Sequence, residues 1–254
     1  MHLWMTILAV VLLAAIGFGI VAALRLEKPW LQPIAIARAV AQLAILTLIL
    51  NGVISSGWWV AAFLLVMVLA ATWVVIRRLS VQLTFVPVIA LIIAVSSAVP
   101  VSIVFATGAV QFSPRYVLAV GGIVIGNAMT VSTLAGRSMA ASFVSSRDEI
   151  EGWMALGATP RRSSLRVVRV AASTALIPST DQTRTTGIVT LPGAFVGAIF
   201  AGASVIEAAE FQVLVLASIL VAGAITVASV GRVFGAPTII PNDGKLLVRS
   251  SPAR

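Results

Sequence analysis

Long apolar runs with few or no charged residues recur through the whole of this chain of 254 residues. A helix that crosses a membrane needs roughly 20 predominantly apolar residues. None of the runs alternates polar and apolar residues with a period of two, which excludes the strands of a membrane barrel. Because only 10% of the residues are charged, the sequence predicts an all-α, polytopic membrane protein with about seven transmembrane helices. The predicted spans are 4–24, 34–50, 58–76, 85–107, 116–136, 186–204 and 210–231.

Positive charge is distributed very unevenly among the loops. Of the 17 lysines and arginines, 15 lie in loops 25–33, 77–84 and 137–185 or after the last predicted span, in residues 232–254. Of the other two, Arg115 lies in an alternate loop and Arg38 lies inside a predicted span. The positive-inside rule therefore predicts an N-terminus outside the cell and a C-terminus in the cytoplasm.

This topology also bears on partners and location. It accounts for the net charge of +9, so we expect membrane lipid, and no nucleic acid, as a partner of the basic residues. The expected location is the cytoplasmic (inner) membrane of a bacterium. Residues 1–234 are predicted to form a transmembrane domain. Residues 235–254, rich in glycine, proline, serine and basic residues, are predicted to form a disordered cytoplasmic tail.

Few chemically reactive side chains are available. The chain contains no cysteine, and its single histidine is His2. Thiol chemistry, cysteine metal sites and Ser-His-Asp catalysis are therefore excluded as the basis of function. We expect a protein that is not an enzyme and that has no cofactor of its own.

The cytoplasmic segment 137–185 contains signals for two short amphipathic helices. Ser146 and Glu149 have the spacing of a capping box, so a helix should begin there. Ile150, Trp153, Met154 and Gly157 then fall on one apolar stripe, and Gly157 is well placed to end the helix.

A second helix should begin at Thr159 and Pro160 and stop at Pro178. Its arginines share one face and its apolar residues the other. The exposed stripe of the first helix needs a partner. Two partners remain open, namely lipid headgroups and a soluble cytoplasmic protein that docks on the helix.

Several motifs identify a family resemblance. Glu151 and Gly157 have the spacing of the first part of the EAA loop of ABC importer permeases, although Gly152 and Trp153 replace the two alanines of that loop. The chain is more similar to the FetB-type iron-export permeases, a family that includes plant aluminium-tolerance proteins. The matching segments are 38–43 (RAVAQL), 126–129 (GNAM), 156–160 (LGATP), 175–178 (ALIP) with Asp181, 187–193 (GIVTLPG), 197–202 (GAIFAG) and Gln212.

The resemblance implies an ABC transporter permease that pairs with a separate ATP-binding subunit, to which ATP and Mg²⁺ would bind. It also implies two permease copies per transporter and the export of metal ions, iron in particular. The family commonly has two methionines where this chain has Ala194 and Phe195, which places metal handling there in doubt. The implied ATPase-coupling residues are Glu151, Trp153, Met154, Gly157, Ala158, Thr159, Pro160 and Arg161.

Polar residues and helix breakers within or beside the spans are candidates for a translocation path. Arg38 and Gln42 lie one turn apart on one face, and Arg38 either lines the path or reaches the cytoplasmic interface. Asn127 either lines the path or joins helices. Asp181 and Arg184 either cap the next span or form a cytoplasmic gate. Three further candidates belong to the family motifs, namely Met129, Pro192 and Gly193.

Glu207 and Glu210 flank the last outer loop, three residues apart. They either attract a hard or borderline cation or form a solvated helix start. Two alternative functions also remain open. One is an ABC permease for another solute, such as a nucleotide sugar. The other is an ATP-independent secondary transporter, against which we note that no Asp or Glu lies well inside a predicted span.

Overall fold

A computed structural model describes residues 3–237 and residue 240 of the chain. The described residues are helical almost throughout, with no strand among them beyond an isolated bridge between Thr186 and Thr190. The helices are α1 (Leu3–Ala23), α2 (Leu31–Ile54), α3 (Gly57–Leu79), a 3-10 turn (Leu83–Phe85), α4 (Val86–Ala106), α5 (Pro114–Ser145), α6 (Arg147–Ala155), α7 (Pro160–Ser163), α8 (Leu165–Thr185), α9 (Gly193–Phe200) and α10 (Val205–Phe234).

Six of these helices are long and apolar enough to cross a membrane, namely α1, α2, α3, α4 with its preceding turn, α5 and α10. The prediction of an all-α, polytopic membrane protein is therefore confirmed. The number of continuous spans is one lower than predicted. The predicted tail lies outside the described residues, apart from residues 235–237 and 240.

The chain divides into two compact units, residues 1–56 and residues 57–254. In the first unit α1 and α2 pack against each other as a helical hairpin. Phe18 stacks on Trp30 with 4.4 Å between ring centroids, and Gly17 lies against the side chain of Gln32. Most side chains of both helices are exposed, as expected for helices surrounded by lipid.

Helix α5 is the centre of the second unit and packs against α3, α4, α8 and α10. Its buried face repeats at helical spacing and includes Val124, Ala128, Val131 and Ala135. The side chain of Leu79, from α3, occupies the position that a Cβ at Gly136 would take. Small residues let helix backbones approach closely in lipid, and α5 uses them along its length.

The two ends of the second unit differ in charge. At one end the last residues of α3, α5 and α10 and the first residues of α4 and α8 come together, as shown by the stacking of Phe85 on Phe234 at 5.5 Å. At the other end Tyr116 stacks on Phe211 at 5.6 Å. The first end carries Arg77, Arg78, Arg137, Arg147, Arg161, Arg162, Arg166, Arg169 and Arg232. The opposite end carries Arg115, so this distribution agrees with a cytoplasmic location for the basic end.

The chain returns from the basic end to the opposite end by an interrupted path. Helix α8 rises from the basic end against α5 and α10, a turn follows at residues 186–192, and α9 packs on α10. The prediction of a continuous span over 186–204 is therefore wrong. The hydropathy of the sequence indicated a span only in the apolar second half of this crossing, which contains the turn and α9. The longer helix of the crossing, α8, is polar.

Helix boundaries in this part of the chain also differ from the prediction. Pro178 lies inside α8 and does not end it, because Ala175 and Ser179 on either side are buried against the bundle. That packing offsets the roughly 3 kcal/mol that an interior proline costs. Pro192 immediately precedes the first residue of α9, at the end of the turn that interrupts the crossing. The second predicted helix is also interrupted, at Ser164 between α7 and α8.

Candidate functional site

The turn between α6 and α7 has a conformation specified by its own residues. Gly157 adopts a φ of +90°, which side chains other than glycine rarely adopt. The Gly157 N–H donates to Met154 O at 3.0 Å, and the Ala158 N–H donates to Trp153 O at 3.0 Å. This is the Schellman arrangement that ends helices. Thr159 is extended and Pro160 begins α7, so the predicted turn is confirmed.

The predicted capping box at the start of α6 is wrong in its side-chain contacts. The helix does follow Ser146, but the Ser146 side chain makes no cap hydrogen bond. Instead the Glu149 carboxylate accepts from Arg166 of α8, with 2.9 Å between Oε1 and Nε and a second contact through Nη2. The hydrogen bond from Arg166 lowers the pKa of Glu149. A charge-assisted contact of this fork-shaped kind therefore ties α6 to α8.

The predicted apolar stripe of α6 is divided between two environments. Ile150 is completely buried in the main core, and Met154 packs against the same core. Trp153, by contrast, is 53% exposed and Leu156 is 81% exposed. Helix α6 is therefore anchored by one side and presents a bulky apolar surface on the other.

A shallow cleft of about 440 Å³ lies over this surface. We name it the turn cleft; its lining residues are Trp153, Leu156, Gly157, Ala158, Thr159 and Arg162. Of the remaining coupling candidates, Glu151 is exposed, with its Oε1 4.0 Å from Arg147 Nε. Pro160 is half-buried and Arg161 is exposed. The structure thus brings all eight predicted coupling residues together at the basic end.

A polar bridge crosses the interior of the second unit. The Asn127 side chain donates to the backbone oxygen of Ile219 on α10 at 3.1 Å, and its Oδ1 accepts from the Ser179 hydroxyl on α8 at 3.0 Å. Asn127 therefore joins three helices, in agreement with the helix-joining interpretation of its role. Ser179 was not predicted. The spacing of Ala171, Ala175 and Ser179, small residues four apart, was the signal for its burial.

Asp181 and Arg184 lie deeper than the sequence suggested. Ser179 is ten residues beyond Arg169 on α8, or about 15 Å at 1.5 Å per residue. That distance is half of a hydrocarbon core of about 30 Å. Asp181 follows Ser179 by two residues, so it lies near the middle of the bundle and not at a cytoplasmic helix start. Both Asp181 and Arg184 are exposed and have no ion pair among the described residues.

The other path candidates lie on several elements. Arg38 and Gln42 lie on α2 in the first unit, and both are exposed. In the second unit, Met129 is half-buried against the main core. Pro192 is half-buried and Gly193 is exposed at the start of α9. Within the second unit, the structure therefore gathers Asn127, Asp181 and Arg184 about α8.

A cavity of about 800 Å³ opens at the end opposite the basic one. Glu207 and Glu210 line it together with Arg115. Glu207 is already occupied in a capping box with Ser204, whose backbone N–H donates to the Glu207 carboxylate at 2.9 Å. Among the described residues there is no cluster of three His, Asp or Glu side chains able to hold a metal ion. This geometry favours the helix-start interpretation of Glu207.

Comparison with known proteins identifies relatives of this chain. The profile of the uncharacterised protein family UPF0014 matches residues 4–236. The UPF0014 membrane protein STAR2 of Oryza sativa subsp. japonica is 33% identical over 198 residues, which are 77% of this chain and 69% of that protein. The Arabidopsis thaliana protein ALUMINUM SENSITIVE 3 is 31% identical over 198 residues, 77% of this chain and 71% of that protein.

A bacterial relative has a name that states a transport role. The probable iron export permease protein FetB of Escherichia coli is 32% identical over 123 residues, which are 48% of either chain. No solved structure matches.

Proposed function

Because the chain belongs to the UPF0014 family, whose relatives include a protein named as an iron export permease, we propose that it is the membrane-spanning permease subunit of an ABC transporter. ATP would be hydrolysed with Mg²⁺ on a separate subunit, and two permease copies would form the path for the exported solute. The proposed solute is a metal ion, iron in particular. The observation that carries this proposal is the exposed α6–α7 turn at the basic end of the second unit.

The α6–α7 turn has the properties of a docking element. Trp153 and Leu156 are large, apolar and exposed, and the turn cleft beside them offers a concave surface to a partner's side chain. A short helix in a partner's groove is a common recognition mode. The arginines around the turn make a position among lipid tails costly. The partner of the turn is therefore a cytoplasmic protein, as we propose, or the lipid headgroups.

Direct contacts connect the α6–α7 turn to the interior of the bundle, so movement of the turn can be transmitted to it. Ile150 fixes α6 in the core, and the Glu149–Arg166 contact joins α6 to the first turn of α8. Helix α8 then reaches the middle of the bundle, where Ser179 contacts Asn127. A partner that displaces α6 would therefore pull on the helix that carries Asp181 and Arg184.

The interrupted crossing supports a path beside α8. Non-helical backbone and charged side chains at membrane depth are tolerated where they face protein or a water-filled cavity, and not where they face lipid. In the turn at 186–192, Ile188 is 90% exposed and Leu191 is 71% exposed. Asp181 and Arg184, near the end of α8, are also exposed. A second copy of this chain would cover the apolar residues and enclose the charged ones.

The secondary-transport alternative is tested by the same experiments. The main argument against it was the lack of acidic residues within the predicted spans. Asp181, close to the C-terminal end of α8 and near the middle of the bundle, removes that argument. Dependence on a separate ATPase therefore decides between the two functions. In inside-out vesicles, export would appear as uptake of iron into the vesicle lumen only when ATP and the partner are present.

Co-purification tests the coupling proposal directly. The tagged chain, purified from native membranes, should carry a subunit with an ATP-binding Walker sequence and ATPase activity. Trp153→Ala and Leu156→Glu should abolish that association, because both remove apolar contact from the turn cleft. Trp58→Ala is the matched control, since Trp58 is 77% exposed at the opposite end of the unit. A chain that transports iron without any such subunit would overturn the proposal.

A separate variant tests the proposal that Asp181 lies on the translocation path. Asp181→Asn should reduce ATP-driven iron uptake while the ATPase subunit still co-purifies, because Asp181 lies far from the turn cleft. Glu27→Gln, which removes an exposed carboxylate between α1 and α2, serves as the control. Normal iron uptake by Asp181→Asn would remove Asp181 from the path, and iron-independent uptake of another solute would redirect the substrate assignment.

A further inference from the structure

A groove of about 250 Å³ runs between α8 and α10 at the basic end. We name it the arginine groove; its lining residues are Arg161, Leu165, Val168, Arg169, Ala172, Val227, Ala228, Gly231, Arg232 and Gly235. The groove exists because α10 has a glycine where the helices meet. Val168 Cγ1 lies only 3.1 Å from the point where a Cβ at Gly231 would stand.

The groove has an apolar end and a cationic end. Residue numbers increase toward the basic end along α10 and decrease toward it along α8. Ala172, Val227 and Ala228 therefore form the end nearer the middle of the bundle. The arginines Arg161, Arg169 and Arg232 lie toward the basic end. Apolar surface toward the membrane centre and cationic surface at its edge match the two parts of a phospholipid.

The position of the groove along the bundle is that of the lipid headgroups. Gly231 lies beside Met139, and Gly136, one turn earlier on α5, lies beside Leu79 at the end of α3. At that end of α3, Arg77 lies over the ring of Trp73 at 5.2 Å, and Trp73 is half exposed. Exposed tryptophan next to arginine is typical of the interface between membrane and water.

No acidic side chain in the described part of the chain pairs with the arginines of the groove. Within residues 3–237 and residue 240 the ion pairs are Arg147–Glu151 and Arg166–Glu149, and neither includes an arginine of the groove. Basic pockets between membrane helices on the cytoplasmic side bind anionic lipid headgroups. We propose that the arginine groove is a binding site for one anionic phospholipid of the cytoplasmic leaflet. The phosphate contacts Arg169 and Arg232, and an acyl chain lies against Val227 and Ala228.

This site does not depend on the proposed transport function, and it can be tested on the full-length chain alone. The chain in neutral detergent is titrated with phosphatidylglycerol or phosphatidylcholine, and bound lipid is counted by native mass spectrometry. Arg169→Gln and Arg232→Gln should each weaken phosphatidylglycerol binding about fivefold, because a basic residue near the membrane surface contributes about that factor. Phosphatidylcholine binding should not change.

Three further variants separate the site from general surface charge and from misfolding. Arg78→Gln, at the same level on α3 but outside the groove, should bind phosphatidylglycerol as the unmodified chain does. Ala228→Leu should lose binding with all charges intact, because its side chain fills the apolar end. Arg169→Lys with Arg232→Lys should retain binding, which controls for misfolding.

Three results would overturn the proposal. One is equal weakening by Arg78→Gln, which would mean that charge acts without a defined site. Another is unchanged binding in the Arg169→Gln and Arg232→Gln variants. The third is competition by soluble glycerol phosphate as effective as that by phosphatidylglycerol, which would mean a free-phosphate site with no role for the acyl chain.

Discussion

The α6–α7 turn and the α8–α9 crossing are adjacent in sequence and both contain glycine, proline and charged residues, yet they are held in different ways. The α6–α7 turn is anchored mainly through Ile150 and otherwise faces outward. Helix α8 is enclosed on two sides by α5 and α10 along most of its length. One element is shaped by its own turn residues, whereas the other is shaped by its neighbours.

This difference explains why a polar helix can lie within the bundle. Beyond Val167, the buried residues of α8 are the small side chains Ala171, Ala175 and Ser179. Small residues allow close approach to neighbouring helices without large apolar area. The polar face, with Asp181 and Arg184, is left open on the other side. Packing of a narrow small-residue face therefore places α8, and hydropathy does not detect it.

The largest effect is expected from Ile150→Ala, which should loosen α6 without loosening α8. Ile150→Ala should destabilise the attachment of α6 by about 2–5 kcal/mol, the usual cost of truncating a buried isoleucine. Hydrogen exchange should then rise in peptides covering 147–163 and stay unchanged in peptides covering 165–185. Trp153→Ala, on the exposed face of the same helix, is the control and should have little effect on exchange. A rise in both segments would mean that the two elements unfold together.

The opposite result is expected from Asn127→Ala, which should loosen α8 without loosening α6. Asn127→Ala leaves the Ser179 hydroxyl and the Ile219 carbonyl without their partner, and an unsatisfied buried polar group costs about 1–3 kcal/mol. Exchange should rise in 165–185 and remain slow in 147–163. Thr130→Ala, one turn away and exposed, should leave both segments protected. Unchanged protection of α8 would show that the polar bridge does not hold it.

The two elements also differ in how far sequence could predict them. The α6–α7 turn was predictable because Gly157 and Thr159-Pro160 act through local backbone conformation. The depth of α8 was not, because it depends on partners distant in sequence, such as Asn127. The span at 186–204 was misassigned for the same reason: an apolar run indicates burial in lipid but not whether its backbone is continuous.

The predicted site residues also differ in how well sequence placed them, and for the same reason. The predicted coupling residues lie together because they are neighbours in the chain. Of the predicted path residues in the second unit, Asn127 joins helices and Met129 packs against the core, because intramembrane polarity alone does not indicate which helix face is open. The contact of Glu149 with Arg166 joins residues 17 apart, and the capping-box pattern at Ser146 competed with it for the same carboxylate. The longer contact prevails because the backbone N–H of Ser146, the donor that a capping box would use, already donates to Ser142 O at 3.0 Å, and because a charged arginine forms the stronger hydrogen bond to a carboxylate.

A smaller effect is expected at Gly157, where the turn depends on backbone alone. Gly157→Ala should cost about 1–2 kcal/mol, the penalty for a left-handed conformation at a residue with a Cβ. Nothing lies within 4 Å of the added methyl group, so no steric clash contributes. Gly152→Ala inside α6 also meets open space and should instead stabilise the helix by up to about 1 kcal/mol. Thermal unfolding midpoints that move in the same direction for both variants would contradict a backbone origin.

The smallest effect is expected at the contact that connects the two elements. Arg166 lowers the pKa of Glu149, so the contact is complete above the ordinary carboxyl pKa and is lost as the pH falls through the lowered value. Because the chain has no cysteine, a spin label at Leu156→Cys reports the mobility of α6 without background. Its spectrum should show greater mobility at acidic pH.

Glu149→Gln should give that greater mobility at every pH, because a neutral amide forms a weaker contact with Arg166. Glu151→Gln is the matched control, since Glu151 is more exposed and 4.0 Å from Arg147. The labelled Glu151→Gln chain should retain the pH response. If the response instead persists in Glu149→Gln, another acidic group on α6 governs it, and α6 moves independently of α8. If it disappears, the same carboxylate that sets the pH response also joins the docking turn to the helix carrying Asp181.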